Sequence, residues 1–272
     1  MDGPYSLHQR ALRIREHILT IAATPEGAHL GGSLSAVDIL TALYFHVMHI
    51  RPDEPRWAQR DYFILSKGHA CAALYATLAE CGMISAAELT SYACAGSRLN
   101  GHPTRKVPGV EFPTGSLGHG LSLAVGLALA AQRDGRSNRA FVLLGDGELQ
   151  EGSVWEAVMA ASHFGLENLT AIVDRNRLQI NGPTEQGMSL EPLALRWKSF
   201  GWNVEEVNGH DLDILCETFS RLPFVEKRPS VLIANTIKGK GIKFLENRKK
   251  SHYVVLKPEL YKRAWNELHP GE

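Results

Sequence analysis

Two apolar runs that end in polar residues constrain the fold of this chain more than any other feature. Residues 140–144 read Ala-Phe-Val-Leu-Leu and stop at Gly145-Asp146-Gly147, and residues 169–174 lead to Asn176. Continuous apolar runs are typical of buried parallel strands, and glycine lets the backbone turn tightly and approach a ligand closely. Open α/β sheets bind ligands at the carboxyl ends of their strands. We therefore expect Asp146 and Asn176 to meet there as hard oxygen ligands for Mg²⁺ or Ca²⁺ in a metal-bridged phosphate or pyrophosphate site.

Strands and helices alternate along the rest of the chain. Further strands are predicted at 61–65, 202–207 and 231–235, and further helices at 72–81, 117–133 and 211–222. An amphipathic first helix ends at Pro25-Glu26-Gly27, and Ser33 or Ser35 is predicted to cap the next helix. This alternation predicts an α/β fold with a parallel sheet covered by helices on both faces. Because no repeat, low-complexity tract or linker interrupts it, residues 1–272 are expected to form one domain.

Charge and composition argue against several classes of function. The chain has 29 Lys and Arg and 29 Asp and Glu, and this balance argues against an extended nucleic-acid or anionic-membrane surface. No apolar run approaches the roughly 20 residues of a membrane span, so no membrane association is expected. The four cysteines (Cys71, Cys81, Cys94 and Cys216) form no CxxC pair, and we interpret them as buried or partly buried thiols in a reducing cytoplasm.

Histidines recur in loops rich in glycine. His29 precedes the pair Gly31-Gly32, and the dipeptide Gly-His occurs at positions 69, 102, 119 and 210. A loop histidine can donate to phosphate or hydroxyl oxygens and exchange protons near neutral pH, or it can simply hydrogen-bond a neighbouring backbone group. We favour the functional interpretation for His29, His69 and His102 taken together, and a structural one for His210.

Two features near the aspartate allow both a functional and an ordinary interpretation. Residues 114–120, Thr-Gly-Ser-Leu-Gly-His-Gly, open a helix whose backbone N–H groups could hold an anion or an aminopyrimidine edge, although such helix starts are also common for packing reasons. This segment matches neither the P-loop nor the Rossmann pattern. Glu148, Glu151 and Glu156 follow Asp146 and are either solvated glutamates or carboxylates that take part in proton movement beside a charged cofactor.

Taken in order, these loops resemble the signatures of a known family. They are Ala28-His29-Leu30-Gly31-Gly32, Ser66-Lys67-Gly68-His69-Ala70, Gly101-His102-Pro103, Thr114-Gly115-Ser116-Leu117-Gly118, Gly145-Asp146-Gly147-Glu148-Leu149-Gln150-Glu151-Gly152, Asn176 and Lys238-Gly239-Lys240-Gly241. To about residue 252 the chain resembles the N-terminal, pyrophosphate-binding part of transketolase, in the form encoded as a separate subunit. The resemblance implies the thiamine diphosphate-binding fold and transfer of a two-carbon ketol unit from a ketose or its phosphate to an aldose or its phosphate, through a thiamine diphosphate carbanion.

The resemblance also implies a role for each matching position. Asp146, Asn176 and the main-chain carbonyl of Leu178 would ligate Mg²⁺ or Ca²⁺, His69 and Gly147 would contact the diphosphate, and Gly115 and Leu117 would meet the aminopyrimidine. His29, His102 and His252 would line the approach to the reactive carbon and touch the oxygens of the sugar. Glu151 and Glu156 would belong to a carboxylate network that links two cofactors at a subunit interface.

The resemblance covers only part of a complete transketolase, which has two further domains. The first of them carries the glutamate that activates the cofactor and much of the site for the distal end of the sugar. We therefore expect the isolated chain to be inactive. It would need a C-terminal, pyrimidine-binding partner subunit in an α2β2 assembly that acts on sugar phosphates in carbohydrate metabolism, such as the pentose phosphate pathway.

The chain departs from the family pattern at one place, and three alternative functions stay open. Where the family usually has His-Gly, this chain has Ser251-His252-Tyr253-Val254, which leaves room for a branched, sulfonated or otherwise modified sugar. The alternatives are a deoxyxylulose-phosphate synthase-like chain, a 2-oxoacid dehydrogenase α-like chain and a non-catalytic scaffold subunit. The run at 145–152 argues against the first, the Gly-His loops argue against the second, and the presence of both metal ligands argues against the third.

Overall fold

A sheet of five parallel strands forms the centre of the computed structural model, which describes residues 5–271. In chain order, the strands of this sheet and of a small hairpin are β1 (Tyr62–Leu65), β2 (Ala140–Gly145), β3 (Leu169–Arg175), β4 (Leu178–Gln179), β5 (Gly182–Pro183), β6 (Asn203–Asn208) and β7 (Ser230–Asn235). The order across the main sheet is β1-β2-β3-β7-β6, and β4 and β5 form a separate antiparallel hairpin. The predicted α/β fold with a parallel sheet is confirmed, and every strand predicted from the sequence is present.

Helices precede the first strand, lie in the connections between strands and follow the last strand. They are α1 (Leu7–Ala22), α2 (Leu30–Ser35), α3 (Val37–Ala42), α4 (Cys71–Glu80), α5 (Gly120–Arg133), α6 (Gly152–His163), α7 (Thr184–Gly187), α8 (Leu193–Ser199), α9 (Leu212–Ser220) and α10 (Pro258–Leu268). A π-helical turn at Leu43–Val47 and short 3₁₀ segments at Gly68–Ala70, Ala86–Ser91, Gly147–Gln150 and Lys249–Ser251 complete the described structure. Helices α7, α8 and α10 and the β4–β5 hairpin were not predicted from the sequence.

Alternate residues of the central strands pack into two separate cores. Phe141, Leu143 and Ile172 face a core that contains residues of α1, α4 and α9. Val142 and Val173 face a second core that contains residues of α5, α6 and α8. Every residue of β2 and β3 is therefore buried. Burial on both faces explains why these strands appear in the sequence as continuous apolar runs.

The predicted serine cap of the second helix is wrong. Helix α2 begins at Leu30, so Ser33 and Ser35 lie inside it. The Ser33 hydroxyl donates to the carbonyl of His29, and the Ser35 hydroxyl donates to the carboxylate of Asp174. The glycine at position 31 is needed because this turn packs closely against the C-terminal segment, where a Cβ would approach Ser251 Oγ to 2.5 Å. Local propensity does not report such close packing.

Two other expectations also need correction. The helix predicted from residue 117 begins at Gly120, because Gly118 has a φ of +87°, which a right-handed helix cannot contain. Cys94 is exposed rather than buried or partly buried. Within residues 5–271, no helix is both long enough and apolar enough to cross a membrane.

Candidate active site

A cavity of about 440 Å³ opens where β1, β2 and β3 end. It is lined by almost every residue predicted for the site: His29, His69, His102, Gly115, Leu117, Asp146, Gly147, Glu151, Asn176, Leu178 and His252. Among the predicted site residues, Glu156 alone does not line it. The parallel register explains the convergence, because Gly145 lies opposite Asp174 and the two strands end side by side.

Asp146 and Asn176 lie immediately beyond the ends of β2 and β3. The main-chain N–H of Arg177 donates to Asp146 Oδ2, and Asn176 Oδ1 accepts from the N–H of Leu178 at 3.1 Å. Burial raises the pKa of Asp146, so nearby positive charge is needed to favour its ionised form. Arg175 supplies one such charge, with Nη1 lying 3.2 Å from Asp146 Oδ2.

The possible metal ligands at this edge are oxygens. Among the residues the structure describes, no group of three or more His, Cys, Asp or Glu side chains is placed to hold an ion. An ion here would therefore depend on the carboxylate of Asp146, the amide of Asn176 and the carbonyl of Leu178. Such a donor set suits Mg²⁺ or Ca²⁺ rather than zinc.

Lys67, which lines the cavity, belongs to a buried ion pair. Lys67 Nζ donates to Asp174 Oδ2, and the two side chains are only 1% and 0% exposed. The hydroxyls of Ser35 and Thr236 also donate to Asp174. Burial alone would raise the pKa of Asp174, but the Lys67 ammonium holds it below its usual value. Because both charges are paired and hydrogen-bonded, this part of the site is stable in the ionised state.

Glu148 is a structural residue rather than a solvated glutamate. Its Oε1 accepts from Ser66 Oγ at 2.5 Å and from the N–H of Gly118 at 2.9 Å, and its Oε2 accepts from the N–H of Gly145 at 3.0 Å. Burial raises its pKa. The side chain therefore links the end of β1, the end of β2 and the loop before α5 by hydrogen bonds. The interpretation of Glu148 as a solvated helix glutamate is wrong.

Four histidines surround the open part of the cavity. The ring of His29 lies 5.5 Å from that of His69, 5.2 Å from that of His252 and 6.1 Å from that of His102, measured between centroids. Burial lowers the pKa of His29 and of His252 to about 4, and lowers that of His69 well below its usual value. At neutral pH these three rings are therefore uncharged and can accept a proton or a hydrogen bond from a ligand.

Two lysines of the site were missed as functional residues. Lys67 and Lys238 both line the cavity and lie inside the motifs that carry the family resemblance, but neither was predicted as a site residue. Lys238 is 3% exposed, and its Nζ donates to the carbonyl of Leu178 at 2.9 Å and lies 3.3 Å from His252 Nδ1. Burial, with Lys67 nearby, lowers the pKa of Lys238 to about 8. A buried ammonium that contacts a carbonyl and an imidazole but forms no ion pair with a carboxylate of the described residues indicates an anionic ligand.

Two glycines allow the walls of the cavity to approach each other. Gly115 has a φ of +156°, and a Cβ there would lie 3.1 Å from His102 Cδ2. A Cβ at Gly147 would lie 2.9 Å from Gln179 Oε1. Side chains at these positions would fill the space that a ligand needs, which agrees with the expectation that backbone approaches a ligand here.

The remaining candidates lie outside the cavity or at its rim. Glu151 is exposed at the rim, Glu156 is exposed on α6, and His119 is exposed before α5. The interface role of the two glutamates stays a prediction. The structural interpretation of His210 is confirmed, since its Nε2 accepts from the N–H of Ile237 and its Nδ1 lies 2.8 Å from Asp38 Oδ2.

Known proteins share both the sequence and the fold of this chain. Residues 9–268 match the family described as "Transketolase, thiamine diphosphate binding domain". The chain is 45% identical over 263 residues to one subunit of the apulose-4-phosphate transketolase of Phocaeicola vulgatus, in an alignment that covers 97% of this chain and 94% of that protein. It is 43% identical over 241 residues to the 6-deoxy-6-sulfo-D-fructose transketolase subunit SqwG of Clostridium sp. (strain MSTE9), with 88% of each chain covered.

Solved transketolases contain the same fold within longer chains. The transketolase from Leishmania mexicana superposes with a TM-score of 0.91 at 32% identity, covering 98% of this chain and 42% of that one. The transketolase from Campylobacter jejuni also gives a TM-score of 0.91 at 32% identity, covering 97% and 42%. This chain thus spans less than half of those enzymes. The predicted family, fold and transferase class are confirmed: the chain belongs to the transketolase family and corresponds to its N-terminal, thiamine diphosphate-binding part.

Proposed function

We propose that this chain is the N-terminal subunit of a two-subunit transketolase, which transfers a two-carbon ketol unit from a ketose phosphate to an aldose phosphate. The observation that carries the proposal is the single cavity in which four histidines, oxygen donors and glycine-walled turns meet at one sheet edge. The family match and the relatives named as transketolase subunits support the same conclusion.

The residues of the cavity fit thiamine diphosphate together with Mg²⁺ or Ca²⁺. Asp146, Asn176 and the carbonyl of Leu178 would hold the ion, since they are hard oxygen donors at one edge. His69 and the backbone of Gly147 would contact the diphosphate, and Gly115 and Leu117 would contact the aminopyrimidine. When bound, the cofactor supplies the carbanion chemistry of ketol transfer. The buried ammonium of Lys238 supports the fit, because it lacks an ion pair with any carboxylate of residues 5–271.

Histidine side chains would contact the sugar and exchange protons with it. His29, His102 and His252 surround the space beside the cofactor-binding turns, and the lowered pKa values of His29 and His252 leave them uncharged at neutral pH. A neutral imidazole can accept a proton from a sugar hydroxyl and return it to a developing alkoxide. It can also stabilise charge on a carbonyl oxygen by donating a hydrogen bond.

A second polypeptide would complete the enzyme. The solved transketolases are more than twice as long as this chain, which covers 42% of each of two of them. The missing part would come from a C-terminal, pyrimidine-binding subunit in an α2β2 complex, with Glu151 and Glu156 at the interface that links two cofactors. Both glutamates are exposed, as such a role requires. We place the complex in the cytoplasm.

The substrate is proposed to be a sugar phosphate or a modified sugar. Two relatives carry names that specify apulose 4-phosphate, and another carries a name that specifies 6-deoxy-6-sulfo-D-fructose. The bulky Tyr253 after His252 is the feature of this chain that favours a modified donor.

Reconstitution with the partner subunit tests the function. Ketose phosphates, branched ketoses and sulfonated ketoses would be offered with a common aldose acceptor, and ketol transfer would be followed by product chromatography. We expect transfer only when both subunits are present. Activity of the isolated chain would reject the need for a partner. Pyruvate decarboxylation without ketol transfer would favour a deoxyxylulose-phosphate synthase-like or 2-oxoacid dehydrogenase-like enzyme.

Binding of the cofactor tests the scaffold alternative separately. The assembled complex would be titrated with thiamine diphosphate with and without Mg²⁺. We expect tight binding that depends on the metal ion. A complex that binds no cofactor would favour a non-catalytic scaffold subunit.

A further inference from the structure

A second cleft lies at the opposite end of the sheet from the candidate active site. It is lined by residues 54–57, Arg60 and 105–111, which precede β1 or belong to the long loop between α4 and α5. Its volume of about 690 Å³ exceeds that of the active-site cavity. We call it the basic cleft.

The acidic residues of the basic cleft are already paired with arginines. Glu111 forms a two-pronged ion pair with Arg60, with distances of 2.9 and 2.8 Å. Glu54 lies 3.3 Å from Arg51. Neither carboxylate is therefore left to neutralise another cation of the cleft.

Three cations of the basic cleft have no such partner. Arg56, Arg105 and Lys106 line the cleft, are exposed, and form no ion pair with any carboxylate in the described part of the chain. Like charges that face the same space repel one another and lower the stability of the fold. An anion bound among them would remove this repulsion and form charge-assisted hydrogen bonds with the two guanidinium groups.

The walls of the basic cleft are held in place by hydrogen bonds and close packing. The Arg60 guanidinium donates to the carbonyl of Trp57 at 2.9 Å, and Asn138 Nδ2 donates to the carbonyl of Ala58 at 2.9 Å. On the other wall Val107 is 1% exposed, and Gly109, with a φ of +83°, packs so closely that a Cβ would lie 2.7 Å from Leu78 Cδ2. The cleft is thus formed before any ligand binds, and little ordering of its walls would oppose binding.

We propose that the basic cleft binds a small phosphorylated molecule, through Arg56, Arg105 and Lys106. The volume falls within the roughly 300–1,000 Å³ of small-molecule sites. A polynucleotide is disfavoured, because the chain has no net charge. The proposal concerns binding alone and does not depend on the activity proposed for the other cavity.

Hydrogen–deuterium exchange of the full chain with inorganic pyrophosphate tests where the anion binds. Because pyrophosphate can also enter the active-site cavity, exchange would be measured with and without excess thiamine diphosphate and Mg²⁺. We expect protection of residues 53–60 and 104–111 that persists in the presence of the cofactor. Protection confined to residues 145–150 and 176–181 would overturn the proposal.

Charge-matched variants test which cations bind. In calorimetric titrations with pyrophosphate in the presence of the cofactor and Mg²⁺, the Arg105→Gln/Lys106→Gln variant should bind at least tenfold more weakly than the unmodified chain. The control is Lys243→Gln/Lys262→Gln, which removes the same charge from exposed positions outside the cleft. It should bind within twofold of the unmodified chain. Equal weakening in both variants would show non-specific attraction and would overturn the proposal.

Discussion

The ring of Tyr253 stands edge-on against the imidazole of His29, with centroids 4.8 Å apart and ring planes at 88°. The Tyr253 hydroxyl donates to the carbonyl of Glu26, and a backbone bridge joins Ala28 to Val254, whose N–H donates at 2.9 Å. His29 Nδ1 is buried without a hydrogen-bond partner among residues 5–271. Packing against Tyr253 therefore orients this imidazole.

Removing the ring of Tyr253 should lower turnover. Aromatic pairs contribute about 0.5–1.5 kcal/mol beyond their burial, and each 1.36 kcal/mol is about tenfold in rate. We expect Tyr253→Ala to lower kcat of the reconstituted enzyme by roughly two- to tenfold. Because Tyr253→Phe keeps the ring, its kcat should stay close to that of the unmodified enzyme.

A spectroscopic measurement separates this positioning effect from a general structural one. Because burial lowers the pKa of His29, opening its surroundings in Tyr253→Ala should raise that pKa towards its usual value. An NMR titration of the His29 ring in the isolated chain would report the change. An unchanged His29 titration together with unchanged kcat would show that Tyr253 does not orient the imidazole.

The carboxylate of Asp146 should be required for cofactor binding that depends on a metal ion. Replacement by asparagine keeps the shape but removes the charge, so Asp146→Asn should weaken thiamine diphosphate binding in the presence of Mg²⁺ by at least roughly tenfold. Quenching of tryptophan fluorescence in the assembled complex measures the affinity. The control is Asp134→Asn, because the side chain of Asp134 is 58% exposed and outside the cavity. Equal affinity and equal Mg²⁺ dependence in Asp146→Asn and the unmodified chain would refute the assigned ligand.

Breaking the buried ion pair of Lys67 should destabilise the fold. Lys67→Met leaves Asp174 buried without its cation, and removing one partner of a buried pair costs about 3–5 kcal/mol. Urea denaturation would measure the free energy of unfolding. The control is Arg51→Met, which breaks an exposed pair with Glu54 and should cost less than about 1 kcal/mol. Similar losses in the two variants would contradict the distinction between buried and exposed pairs.

The buried histidines should make stability depend on pH. His29 and His252 have a pKa of about 4 in the folded chain, against an ordinary value of 6.5. Between these values the unfolded chain binds more protons, so the free energy of unfolding falls as pH decreases from about 6.5 towards about 4. Denaturation midpoints measured across this range in unmodified chain and in His29→Gln/His252→Gln would isolate the two rings. We expect a shallower decrease in the variant, and identical slopes would rule out this contribution.

Much of the site could be predicted because parallel strands impose a simple geometry. Asp146 and Asn176 follow apolar runs, and strands that run in parallel end at the same edge of the sheet. The proximity of these two residues could therefore be predicted without knowing any distant contact. Glycine at 115 and 147 marked backbone that passes close to another group.

Contacts between distant segments account for the missed features. Glu148 lies in the same run as Glu151, but it is buried and accepts hydrogen bonds from Ser66 and Gly118, which belong to distant segments. The pairing of Lys67 with Asp174 joins residues 107 positions apart. Neither local periodicity nor charge spacing reports such pairs.

Local sequence patterns were sufficient to predict the alternation of strands and helices, the loops at the strand ends and the membership of the family. Packing between distant segments set which polar groups are buried, which imidazoles have a lowered pKa and that the Tyr253 ring packs edge-on against His29. The physical reason is desolvation: the charge state of a side chain depends on what packs around it, and the groups that pack here come from opposite ends of the chain.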